Sequence, residues 1–92
     1  MKQKIDPVLE HDLVDDELFG IEIDFLRSME PHEVERWGHQ IYYYIMERDG
    51  LQEARIGDGW MNATASGKTI KQLSRAFPCV RMICHEPVVV LS

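Results

Sequence analysis

Cysteine is scarce in this chain, and the two present, Cys79 and Cys84, do not form a Cys-x-x-Cys pair. Two thiols make no disulfide framework in a chain long enough to build an apolar core, so a reduced, cytoplasmic setting is the expectation. No apolar run approaches the roughly 18–20 residues that cross a bilayer as a helix, and no membrane partner is expected. The first residues, Met1-Lys2-Gln3-Lys4-Ile5-Asp6, turn acidic where a secretory signal needs an apolar stretch. Linkers rich in Pro, Gly or Ser, internal repeats and low-complexity tracts are missing too. A chain of 92 residues without a boundary reads as one domain, 1–92, of modest stability that dimerisation would raise.

Positive charge is in short supply, with 10 Lys and Arg against 16 Asp and Glu for a net charge of −6. The imbalance is uneven: residues 1–50 carry −8 and residues 51–92 carry +2. A duplex nucleic acid is repelled by the first half and weakly attracted by the second. A basic protein is the partner that such a charge pattern favours over nucleic acid, and a homodimer is compatible with it.

What the chain does have is clear local periodicity. Phe19, Ile21, Ile23 and Phe25 alternate with Gly20, Glu22 and Asp24, the period of a half-buried strand. Ser28 and Pro31 are helix-start signals. Val34, Trp37, Ile41, Tyr44 and Ile45 then share one helical face, with His32, Glu35, Arg36, His39, Gln40, Tyr43 and Glu47 on the other. The rival reading makes Ile41–Met46 a strand, since Tyr and Ile favour sheets; the sustained helical period favours a helix that Asp49-Gly50 closes.

Strands are predicted at Ala54–Ile56 and Trp60–Asn62 about a Gly57-Asp58-Gly59 turn. A second helix is predicted from a Ser66 cap, with Ile70, Leu73 and Phe77 inward and Pro78 as its stop. Val80–Cys84 and Val88–Leu91 read as a hairpin about His85-Glu86-Pro87. Asp6-Pro7 predicts a short N-terminal helix to about Leu18, with Leu9, Leu13 and Leu18 inward. The fold class that follows is α+β: a small antiparallel or mixed sheet of three to five strands with two main helices packed on one face.

Two strings carry functional overtones. Asn62-Ala63-Thr64-Ala65-Ser66-Gly67-Lys68-Thr69 matches the phosphate-binding pattern G-x-x-x-x-G-K-[ST] except for Asn62 at its first position. The chain is too short beyond it for the parallel sheet that chemistry requires. It reads instead as a helix start, with N–H groups beside Lys68 available to a single anion. Asp58-Gly59-Trp60-Met61-Asn62-Ala63-Thr64 and the polar helix after it resemble the signature of the KilA-N domain, a DNA-binding module of phages and large DNA viruses. The resemblance covers under a quarter of the chain, and a β-rich C-terminus stands where that family continues in helix. It implies DNA binding through Lys68, Lys71 and Arg75 on one helix face, with Arg81 as a further contact. A hairpin strand entering a helix explains the same string without DNA.

For metal, His32, Glu35 and His39 share a helix face, but His32 and His39 are two turns, roughly 10 Å, apart. The solvated face is the simpler reading, and neither a metal site nor a cofactor is expected. Cys84-His85 are adjacent and point apart on a strand, so no nucleophile pair is legible and no catalytic residues are assigned. The leading expectation is therefore a small acidic, non-enzymatic interaction protein that binds and modulates, or inhibits, another macromolecule. Regulators of nucleic-acid-binding proteins from phages or mobile elements are of this kind. Its expected partner-binding residues are Asp15, Asp16, Glu17, Glu22, Asp24, Glu35, His39 and the exposed Tyr43. The DNA-binding regulator is the first alternative and a small enzyme or metal protein the second.

Overall fold

Alternating apolar residues place Phe19, Ile21, Ile23 and Phe25 on the buried side of the first strand, β1 (Leu18–Phe25), as the period predicts. The computed structural model describes residues 13–25, 30–50, 53–78 and 80–87. After β1 come helix α1 (Pro31–Asp49), strands β2 (Ala54–Gly57) and β3 (Trp60–Ser66), helix α2 (Gly67–Ala76) and strand β4 (Val80–Pro87). The four strands form one antiparallel sheet in the order β2-β3-β1-β4. Connectivity and order are those of the split β-α-β, or ferredoxin-like, arrangement. That arrangement hosts many unrelated functions and by itself assigns none.

Both helices cover one face of the sheet. Ile41 and Ile45 of α1 and Ile70 and Leu73 of α2 join Ile21, Ile23, Met61 and Met82 in one buried cluster. Phe77 closes the seam between the helices, meeting Trp37 and Tyr44 edge-on with ring centroids 5.6 Å apart in each pair. The Ile41–Met46 segment is helical, so its three tyrosines fan around α1: Tyr42 and Tyr44 are partly buried and Tyr43 is exposed. The other sheet face carries Glu22, Asp24, Asn62, Arg81 and His85.

Starts and stops follow local chemistry. Pro31 opens α1, where its missing N–H is no loss, and Glu33 accepts a hydrogen bond from the Glu30 N–H at 3.1 Å. The β2–β3 turn places Gly59 at φ 78°, in the left-handed region that favours glycine. Ser66 caps α2 by accepting from the Thr69 N–H.

Two predicted elements are corrected. Leu13–Leu18 is not helical: residues 13–17 are irregular and turn, and Leu18 already belongs to β1. Leu13 is buried as expected, while the rest of that predicted helix, including Leu9, lies outside the described residues. His85-Glu86-Pro87 is not a hairpin turn, because β4 runs through it. Its turn chemistry emerges as an irregularity of register: Phe19 pairs with Pro87 but Ile21 with Cys84, so β4 carries one extra residue there. The Val88–Leu91 strand lies outside the described residues, as do Ser28 and Cys79. No helix among the described residues is long and apolar enough to cross a membrane.

Candidate functional site

The expected partner-binding residues fall on three surfaces. Asp15, Asp16 and Glu17 lie in the segment running past the start of α2. Glu22 and Asp24 stand on the sheet face opposite the helices, and Glu35, His39 and Tyr43 line the solvent side of α1. Two of these surfaces meet at one end of the molecule. Asp24 at the end of β1 and Glu35 in the first turns of α1 line a single open groove of about 940 Å³. Asp58, in the β2–β3 turn, and Arg81, opposite Asp24 on β4, complete its charged rim; Val34 and Ile56 form its apolar floor.

All four charged side chains of the rim are exposed. Among the described residues none of the three carboxylates enters a hydrogen bond or ion pair. Among the described residues, three acids against one base leave a local excess of negative charge. Glu33 adds to it near the N-terminus of α1, the helix end at which acidic side chains are favoured. Asp58 and Arg81 were not assigned to partner binding from the sequence. Their convergence depends on the sheet order, which no local spacing encodes.

The phosphate-loop string has a structural explanation. Asn62–Ser66 is strand β3, not a loop. Each amide from Ser66 to Thr69 is already bonded: Ser66 N–H to Asp49 Oδ2 at 2.8 Å, Gly67 N–H to the Glu17 carbonyl at 3.0 Å, Lys68 N–H to the Asp15 carbonyl at 3.2 Å, and Thr69 N–H to Ser66 Oγ at 3.2 Å. The Ser66 and Thr69 hydroxyls also donate to Asp49 Oδ1 at 3.0 and 2.9 Å. An internal carboxylate therefore occupies the place where an external anion was expected. Gly67 is there for packing, since a Cβ would lie 2.2 Å from the Val14 carbonyl oxygen.

The three cations of α2 are also separated. Lys71 Nζ reaches Asp15 Oδ1 at 2.7 Å, and this hydrogen bond and charge hold the Asp15 carboxyl below its ordinary range. Lys68 and Arg75 instead line an open groove between the helices, together with Arg48 of α1, a residue to which sequence reasoning gave no role.

His32, Glu35 and His39 are exposed on α1. Among the described residues no group of three His, Cys, Asp or Glu side chains converges as metal ligands do. Cys84 is buried, which pushes its thiol up to about 11, and His85 is exposed. A thiol so placed stays protonated near neutral pH. Comparison with known proteins leaves the reading to the geometry: no protein-family model, curated protein or solved structure matches this chain.

Proposed function

We propose that this chain is a small acidic, non-enzymatic interaction protein that binds a basic protein and modulates it. The groove at the N-terminal end of α1 receives a Lys or Arg side chain of that partner. One observation carries the reading. Asp24, Glu35 and Asp58, drawn from a strand, a helix and a turn, rim one groove that holds a single base, Arg81, and among the described residues none of the three is in an ion pair. Val34 and Ile56 give the aliphatic stem of the entering side chain a surface to lie on. A partner whose basic residues contact nucleic acid is inhibited by such occupancy, because the groove competes for the same cations.

Exposed ion pairs contribute about 0.2–1 kcal/mol each, so three of them account for roughly tenfold in affinity and for faster, salt-sensitive association. Calorimetric titration with a hexalysine peptide at low salt tests the reading. The triple substitution Asp24→Asn, Glu35→Gln and Asp58→Asn is expected to weaken binding about tenfold. Neutralising Asp15, Asp16 and Glu17, an equal change of charge on another surface, is the control. Equal weakening by the two triples sinks the reading.

A further inference from the structure

The groove at the opposite end of α1 has the reverse charge and is built to a different specification. It is lined by Tyr44, Arg48 and Asp49 from the last turns of α1 and by Lys68, Thr69, Gln72 and Arg75 from α2, and encloses about 590 Å³. Lys68, Gln72 and Arg75 follow one another at helical spacing on one face of α2, so its two cations sit two turns, about 10 Å, apart along the helix. Arg48 enters from α1 between them, its Nε donating to Gln72 Oε1 at 3.1 Å.

The guanidinium of Arg48 is held in place before any ligand arrives. It lies 3.6 Å from the centroid of the Tyr44 ring, and its Nη1 donates to the Tyr44 carbonyl at 3.3 Å. Its hydrogen bonds to Gln72 and to the Tyr44 carbonyl leave three of its five N–H donors over, in the planar fork that suits phosphoryl oxygens. Among the described residues the negative groups nearby include Asp49, whose carboxylate accepts from Ser66 and Thr69, and the exposed Glu47, 3.6 Å from Arg48 Nη1. Among the described lining residues three cations stand against one carboxylate, in a chain whose net charge is −6. The volume is that of a small-molecule site.

We infer that the groove between α1 and α2 binds a small oligophosphate anion, with Arg48 at its centre and Lys68 and Arg75 at its two ends. A linear chain of phosphoryl groups matches cations strung along one groove, whereas a single sulfate reaches only part of the set. The groove borders the first turn of α2 but does not draw on its already bonded amides, and Lys71 has no part in it because its ammonium is turned to Asp15. It does not depend on the acidic groove being a docking surface.

The test is titration of the full chain with inorganic tripolyphosphate in low salt, followed by backbone and arginine Nε–H resonances. Saturable shifts centred on Arg48, Lys68 and Arg75 are expected. Lys68→Gln with Arg75→Gln, two exposed positions, is expected to weaken binding at least about tenfold, and Lys71→Gln by less than about twofold. Arg48→Lys keeps the charge but removes the fork, and is expected to weaken tripolyphosphate more than sulfate. An absence of saturable shifts overturns the inference, and so does equal weakening by Lys71→Gln and Lys68→Gln. So does self-association at low salt that Lys68→Gln abolishes without tripolyphosphate binding, since the occupant is then the acidic end of a second copy.

Discussion

Asp49 ties the end of one helix to the start of the other. Its carboxylate takes the Ser66 N–H and the hydroxyls of Ser66 and Thr69 at the first turn of α2. Asp49→Ala leaves those donors without their acceptor and is expected to lower stability by about 1–3 kcal/mol in urea unfolding. Gly67→Ala is expected to cost a similar amount, since its Cβ would meet the backbone of Val14 and not a movable side chain. The Lys71–Asp15 pair adds a pH signature. Asp15 has its carboxyl lowered in the fold, so its contribution is present above the ordinary value of 3.8 and disappears as pH falls through the lowered one. Stability curves of the native chain and Lys71→Gln are therefore expected to converge at acid pH and to separate above it. Cys84 runs the other way: its raised thiol favours the fold below the ordinary value of 9.0, and that contribution is lost as pH rises through about 11. In a Cys79→Ser background, Cys84 is expected to react with a thiol reagent at pH 8 only on unfolding.

At the scale of elements, the two helices are joined by aromatic edges. Phe77 sits between Trp37 and Tyr44 just beyond α2, so Phe77→Ala opens the seam as well as removing a buried ring. The expected loss is about 3 kcal/mol by chemical denaturation. The same scale explains what was legible. β1, α1, the Gly57–Gly59 turn and the Ser66 cap rest on spacing within a few residues, and all four appear in the structure where periodicity and cap chemistry predict them. Leu13–Leu18 failed because its conformation answers to a distant element: the carbonyls of Asp15 and Glu17 bond the first amides of α2. His85-Glu86-Pro87 failed because β4 is an edge strand. There a bulge and a strand-end proline are tolerated, so turn residues were absorbed without a turn.

Over the whole molecule, the division of charge read from the two halves of the sequence is redrawn by the fold. The described candidate acids of residues 1–50, the half that carries −8, fall on three surfaces instead of forming one. Asp24 and Glu35 are joined by Asp58 from the second half, while Arg48 from the first half joins Lys68 and Arg75. The two grooves lie at opposite ends of α1, whose 19 residues span about 28 Å. Each gathers side chains from elements that only the β2-β3-β1-β4 order brings together. This is why the candidate residues were legible as a set of acids but not as a site.

Whether the acidic end receives a basic partner is read most directly by an amide chemical-shift titration with hexalysine at low salt. Saturable shifts are expected at Asp24, Glu35 and Asp58 that fade as salt is raised, with the amides near Arg48 and Lys68 unmoved. Shifts spread evenly over every acidic residue, or none at the groove, would contradict it.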